Sequence, residues 1–312
     1  MKAGTKPARP RVAILGAGAM GTLFAYQLAE HNDVTLVEVR GDVVETINAR
    51  GGVQVDELAV RPLAATTDPS KAFATSFLFV FVKAPYTLGA VRPFTGQLNP
   101  ATPIVSLQNG LGNEEAIKAA LGSNVALVIG ITNEMSLAIG QGHSRRLGIG
   151  STVLGSAGAS YPTVRAVLAL LQQAGLEAST AYDIRPHLWG KLLANAAINP
   201  IAALLDAKNS IIPADPDAAA LARALALEGA AVAKALRVNL PFTDPWEYVR
   251  AVLAASEDGR NSMTVDLNAR LRTEIDQING AIVSAGRRLG VPTPYNDAIL
   301  RLVKAKENAP RE

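Results

Sequence analysis

Lys191, Asn195 and Asn199 recur at every fourth position of HLWGKLLANAAINPIAALL, residues 187–205. Four residues is close to one helical turn, so the three polar heads project from nearly one face of a helix otherwise built of Ala and Leu. Desolvation lowers the pKa of a lysine on so apolar a surface, and as a cation it can donate a proton and attract a carboxylate. Amides one and two turns on can donate and accept, which suits holding a hydroxyl or carboxylate beside that amine. Such a group would protonate the alkoxide that develops when a ketone is reduced by hydride. The residues alone leave a second reading open: a snorkelling lysine, with the asparagines bonding backbone at a kink before Pro200.

A hydride donor has a candidate seat at the other end of the chain. GAGAMG, Gly16, Ala17, Gly18, Ala19, Met20 and Gly21, follows an apolar strand and opens a helix. In that context Gly16 permits a tight turn, Gly18 lets backbone approach a pyrophosphate, and Gly21 lets helix and strand pack closely. The next strand ends in VEVRG. Glu38 there suits the ribose hydroxyls of NAD(H), whereas Arg40 could fork onto the 2′-phosphate of NADP(H), and the residues do not decide between them. Lys83 closes FLFVFVK and Asn109 closes IVSLQN. Both would lie at the carboxyl edge of the sheet, where doubly wound folds bind ligands. The histidines, His31, His143 and His187, sit in a turn, a Gly-rich loop and a helix start, and read as structural or exposed.

The elements that must position these groups fall into two halves. Strands are expected at Val12–Leu15 and Val34–Val37, with a helix from about Gly18 to Glu30 between them. Further strands are expected at residues 76–83, 102–110, 125–132 and 147–154. The apolar runs at 76–83 and 102–110 are continuous rather than alternating, as in a parallel sheet covered on both faces. Up to about residue 180 the pattern is α/β, and a Rossmann-type doubly wound sheet is the architecture it implies. After Asp183 the strands stop, and residues 187–205, 215–237, 244–256 and 264–290 read as helices, punctuated by Pro213, Pro241 and GVPTP. The expected division is a dinucleotide-binding domain over 1–182 and an all-α domain over 183–312. Only the first ten and last six residues look loose.

Composition excludes several classes. The net charge of +3 is scattered, with no basic stripe interleaved with aromatics, so nucleic acid is not an expected partner. The absence of cysteine removes disulfides, thiolate chemistry and cysteine–zinc sites, and no metal site is expected. The basic start followed by an uncharged stretch from Val12 to Ala29 mimics a secretory signal, but its glycines and the polar helix end after it point instead to a cytoplasmic protein. No segment offers the ~18 apolar residues of a membrane span. A homodimer is compatible with the chain, which does not itself fix the oligomeric state.

GAGAMG, VKAPYT, QNGLG, WGKLLANAAINP, KNS, NSMTVDL and RTEIDQINGAIV occur in that order along nearly the whole chain. Together they resemble the ketopantoate reductase family. The resemblance implies reduction of 2-dehydropantoate, a small 2-oxo acid, to pantoate with NADPH, on the way to pantothenate and coenzyme A. It also implies a Rossmann domain, a helical domain and a substrate cleft between them. Carried over by motif, Lys191 is the general acid and Asn195 and Asn199 bind substrate. Ser262 and Glu274 hold substrate hydroxyl or carboxylate groups with Asn209 nearby, while Lys83 and Asn109 face the nicotinamide. Read without the resemblance, Ser262 is an N-cap and Glu274 a surface carboxylate about three turns along the same helix. The chain departs from the family pattern at Pro85, at Glu38–Val39 with Arg40 displaced by one place, and at Glu134 and Arg145–Arg146. Rival readings are a reductase of another branched 2-oxo acid, a β-hydroxyacid dehydrogenase with the same Lys and Asn one turn apart, and a non-catalytic NAD(P) sensor.

Overall fold

A computed structural model describes residues 9–255 and 259–309. Residues 1–8 and 310–312, read above as parts of loose ends, and residue 256, read as a helix end, lie outside the described residues. The chain divides into two compact units. The first comprises the chain up to Gln108 and Asn113–Ile184, and the second takes Asn109–Gly112 and the chain from Arg185 on.

The strands are β1 (Arg11–Leu15), β2 (Asp33–Val37), β3 (Gly52–Val55), β4 (Arg61–Pro62), β5 (Ala64–Thr66) and β6 (Phe77–Val80). They continue as β7 (Ile104–Ser106), β8 (Leu127–Thr132), β9 (Met135–Gly140), β10 (His143–Gly148), β11 (Thr152–Ser156) and β12 (Ala178–Thr180). Eight form one sheet in the order β12-β11-β8-β7-β6-β1-β2-β5. All its pairings are parallel except β11 with β8. The order reverses between β2 and β6 on either side of β1, which is the switch point where such sheets bind nucleotides. Helices α1 (Ala19–Leu28), α2 (Gly41–Arg50), α3 (Thr87–Val91), α4 (Asn113–Leu121) and α5 (Tyr161–Gln173) complete the unit. Ile14, Leu36, Phe79 and Val105 of the strands share one buried core with Leu23 and Phe24 of α1 and Val167 and Leu171 of α5. Each such side chain contributes about 1.5–3 kcal/mol of transfer free energy, which holds α1, and with it the glycine turn, against the sheet.

A second sheet, ordered β4-β3-β10-β9, is absent from the sequence reading. The single strand expected at 147–154 is two, β10 and β11, in different sheets. Gly150 separates them: a Cβ there would meet the backbone of Asn133, a close approach that ends the extended run. The pairing of β3 with β10 joins Gln54 to His143. No local pattern carries a contact between such distant residues.

The second unit is helical: α6 (Arg185–Leu204), α7 (Ile211–Ala214), α8 (Pro216–Ala235), α9 (Pro245–Ala254), α10 (Ser262–Asn268), α11 (Asn279–Leu289) and α12 (Pro294–Glu307). Asp215 and Asp244 cap α8 and α9 by accepting backbone N–H groups, each followed by Pro at the first helical position. The helix expected over 264–290 is two helices, a correction with a visible cause. After Asn268 the chain turns at Arg270, φ +54°, and the Leu271 N–H closes the turn on the Asp266 carbonyl at 2.8 Å. The Thr273 N–H then donates to the Glu307 carboxylate at 2.7 Å, holding the intervening segment from α12. No described helix is long and apolar enough to cross a membrane.

Candidate active site

In the first unit the glycine turn lies between β1 and α1. Gly16 has φ +98°, and its N–H donates to the Val37 carbonyl at 2.8 Å, joining the turn to the end of β2. A Cβ at Gly21 would collide with the Gly16 carbonyl oxygen, so only glycine lets α1 start this close to the turn. Gly18, the extended N-cap of α1, faces open space where its Cβ would stand. The tight turn at Gly16 and the close approach at Gly21 are those expected from the sequence. The exposed N–H groups at this helix start fit an anionic pyrophosphate.

Glu38 follows β2 and is only 9% exposed. Its Oε2 accepts the Ala17 N–H at 2.9 Å and its Oε1 accepts the Arg40 N–H at 3.1 Å. The Arg40 guanidinium is 3.6 Å from the same carboxylate, with its side chain 60% exposed. The acid is thus fastened to the turn, while the arginine side chain is largely exposed. Lys83 lies three residues beyond the end of β6, as N-cap of a short turn over Ala84–Tyr86 that contains Pro85. Sequence reasoning passed over Gln108: its Nε2 donates to the Val82 carbonyl at 2.6 Å and to Thr87 Oγ1 at 2.7 Å, tying the Lys83 segment to the end of β7. It also passed over Ser136, whose hydroxyl donates to the Ala19 carbonyl at 3.2 Å. Arg146 grips the buried Glu134 through Nε and Nη2 at 2.9 and 2.5 Å, so two of the three unusual residues of 131–150 form one ion pair, while Arg145 is exposed.

The second unit gathers the remaining candidates. Lys191 and Asn195 are half-buried on α6 and Asn199 is buried. Burial pushes the Lys191 amine down to about 8 from 10.5, opposed in part by the negative charge of Glu274. Glu274 is not three turns along a helix from Ser262. It lies in the turn between α10 and α11, where Asn109 Nδ2 donates to its Oε2 at 3.3 Å. Asn109, read as a sheet terminus, therefore belongs with the helical unit. Ser262 is exposed at the start of α10 and is not its N-cap. That role falls to Asn261, whose Oδ1 accepts the Thr264 N–H at 3.0 Å. Asn261 Nδ2 also donates to Asn209 Oδ1 at 2.9 Å and reaches the Asn199 carbonyl at 3.5 Å. This one asparagine, not among the expected site residues, thus links the segments of Asn199, Asn209 and Ser262. The NSMTVDL motif contained it, but its neighbour drew the assignment.

Gly190, next to Lys191, lets an aromatic pair approach α6: a Cβ there would lie 3.3 Å from the Tyr248 hydroxyl. Tyr248 stacks on Phe242 with ring centroids 4.0 Å apart, and burial pushes its hydroxyl pKa up. Among the described residues no group of three or more His, Cys, Asp or Glu could hold a metal ion.

Comparison with known proteins covers both units. The family described as "Ketopantoate reductase PanE/ApbA" matches residues 12–159, and "Ketopantoate reductase PanE/ApbA C terminal" matches residues 183–307. The chain is 35% identical over 295 residues to a 2-dehydropantoate 2-reductase of Pyrobaculum aerophilum, covering 95% of this chain and 97% of the relative. It is also 35% identical over 307 residues to the protein of that name from Archaeoglobus fulgidus, covering 96% and 98%. Among solved structures it is similar to a PanE/ApbA family ketopantoate reductase from Ralstonia eutropha, with TM-score 0.88, 28% identity, and coverage of 96% and 98%. A D-mandelate dehydrogenase solved in complex with NADH is similar at TM-score 0.86 and 26% identity, with coverage of 96% and 99%.

Proposed function

The chain belongs to the ketopantoate reductase family, an NAD(P)H-dependent class of oxidoreductases, and from that premise we propose that it reduces 2-dehydropantoate to pantoate with Lys191 as general acid. The observation that carries this reading is the desolvated Lys191 amine, lowered to about 8, with Glu274 as its counter-charge. Ordinary lysine holds its proton too tightly to surrender it readily, whereas an amine near 8 is still mostly charged at neutral pH and is a better donor.

The glycine turn supplies the fit for the dinucleotide: open space over Gly18, the left-handed Gly16 and the N-terminal N–H groups of α1. Bound there, a reduced nicotinamide supplies the hydride to the keto carbon. Lys191 Nζ gives its proton to the keto oxygen, yielding the hydroxyl of pantoate, and is reprotonated from solvent. Glu274 keeps the amine charged until that transfer. Asn195 and Asn199 stand on the helix face of Lys191 to orient the substrate, with Ser262 and Asn209 receiving its hydroxyl or carboxylate groups. Asn109 steadies Glu274, and Lys83 serves the cofactor side. The proposal extends to a step in pantothenate and coenzyme A formation, in the cytoplasm.

NADPH is the donor that the resemblance implies, with Arg40 available to meet its 2′-phosphate. A second reading, NADH, is favoured by a specific observation: Glu38 is fixed by two backbone N–H groups where an acid bonds a ribose hydroxyl and repels a phosphate. Loss of nicotinamide absorbance with 2-dehydropantoate, followed in parallel with NADPH and NADH, tests both points. No turnover with either donor refutes the activity, and the kcat/KM ratio decides the donor.

A further inference from the structure

Pro200 stands inside α6, four residues before its last, Leu204. Proline has no N–H, so the carbonyl four residues earlier, that of Ala196, loses its helical donor. Ala196 is 0% exposed, so solvent cannot replace that donor. A buried carbonyl without a partner is costly, and the stripe asparagines on the same helix were the obvious candidates to satisfy it. The structure uses another residue. Asn279 Nδ2, from the first residue of α11, donates to the Ala196 carbonyl at 3.1 Å.

The orientation of that amide is dictated by its surroundings. The same Nδ2 donates to Asn296 Oδ1 at 3.0 Å. Asn296 Nδ2 in turn donates to the Leu225 carbonyl at 3.2 Å and to Glu228 Oε2 at 2.8 Å. Turning the Asn279 amide would set its oxygen against two acceptor oxygens. Asn279 and Asn296 are both 0% exposed, and Asn279 Oδ1 is buried without a partner. An asparagine that leaves one end unsatisfied costs more than a packed apolar side chain unless its N–H bonds do something specific.

Its position shows what they do. The Ile278 N–H, just before Asn279, donates to the Glu274 carbonyl at 3.0 Å, and the Gly280 N–H, just after, to the Ile275 carbonyl at 2.9 Å. Asn279 is therefore rigidly continuous with the turn that carries Glu274. On its other side it grips α6 between Lys191 and Asn195, which precede the interrupted bond, and Asn199, which lies inside it.

We propose that Asn279 is a positioning residue: by replacing the donor that Pro200 removes from Ala196, it locks the helix bearing Lys191, Asn195 and Asn199 to the segment bearing Glu274. The proposal rests on the reductase reading above. It also explains how the stripe asparagines stay available to a substrate despite the proline beside them.

A double-mutant cycle tests it, because Pro200→Ala returns a backbone N–H that can serve Ala196. Asn279→Ala alone is expected to lower kcat by about 10-fold or more in fully folded protein, with KM for the nicotinamide donor changed by no more than about 2-fold. In the Pro200→Ala background the same change is expected to cost no more than about 3-fold in kcat, and its effect on the thermal midpoint is expected to shrink in parallel. A purely structural asparagine would couple to residue 200 in the midpoint but leave the kcat of folded protein unmoved. Effects that add without coupling, or a folded Asn279→Ala within about 2-fold of wild-type kcat, overturn the proposal. If Asn279→Ala does not fold, Asn279→Leu in the Pro200→Ala background is read against Pro200→Ala alone. A kcat ratio within about 3-fold supports the lock and a loss of about 10-fold or more overturns it. Wild-type protein without turnover would remove the reductase reading, while the melting cycle would still decide whether Asn279 and residue 200 share the Ala196 carbonyl.

Discussion

The glycine turn and the lysine cluster are built in opposite ways. The turn is a local object: Gly16, Gly18 and Gly21 lie within six consecutive residues, and backbone does most of the work. A few groups reach it from outside: Glu38 accepts the Ala17 N–H, the Val37 carbonyl accepts the Gly16 N–H, and Ser136 donates to the Ala19 carbonyl. The cluster is a distributed object, drawn from Asn109, α6, Asn209, Asn261–Ser262 and Glu274 and held by side chains reaching between segments. A local site tolerates change elsewhere but not within itself. A distributed site fails by degrees as each tie is cut.

The sharpest way to break that comparison is at Lys191. Lys191→Ala is expected to reduce kcat by at least ~10²-fold while leaving the dissociation constant of the nicotinamide donor nearly unchanged. Stopped-flow turnover alongside cofactor fluorescence titration checks both, and wild-type-like turnover would remove the amine from the chemistry. At the turn, Gly16→Ala forces a side chain into φ +98° with its Cβ 3.0 Å from the Val82 nitrogen. Cofactor affinity is expected to fall about 10-fold or more with the helical unit intact, readable by titration and by circular dichroism. Next in size, Glu38→Gln keeps an oxygen for the Ala17 N–H but removes the charge. The NADPH-to-NADH ratio of kcat/KM is expected to rise about 3–10-fold, and an unchanged ratio would show that the acid lies away from the adenosine ribose.

The pH profile sharpens the cluster further. The proton donor is the charged amine, so kcat is expected to fall as pH rises through about 8. Glu274 raises that pKa, so Glu274→Gln moves the break to lower pH. The smallest expected effect concerns stability. Because the folded pKa lies below the unfolded 10.5, the unfolded chain binds more protons between about 8 and 10.5. Folded protein is penalised below about 8 and relieved as pH climbs to 10.5. Lys191→Met is thus expected to raise the melting midpoint at pH 7 by a few degrees, about 2–4 °C, a gain that fades by pH 10.5 in a calorimetric scan.

What could be read from the sequence follows the same division. The roles of the three glycines and the helical face of Lys191, Asn195 and Asn199 depend on spacing alone, and spacing is written in the chain. The break after Asn268 is not. It needs a left-handed Arg270, a residue type that does not advertise it, and a bond from Thr273 to Glu307 across 34 residues. The pattern at 147–154 reads as one strand, although it spans the end of β10 and much of β11, because apolar residues around Gly148 and Gly150 hide the change of sheet. Asn261 and Asn279 were missed because an asparagine's partner, and so its role, is a tertiary fact.

Glu38 carries a consequence for any attempt to redesign which coenzyme is used. The residue best placed to discriminate is also a strut of the loop it discriminates for, since its second oxygen is spent on the Ala17 N–H. Replacing it with a basic or small side chain would sacrifice loop geometry, and hence grip on either coenzyme, together with the preference. An engineer would do better to leave that strut standing and rework its solvent-facing neighbours Val39, 86% exposed, and Arg40.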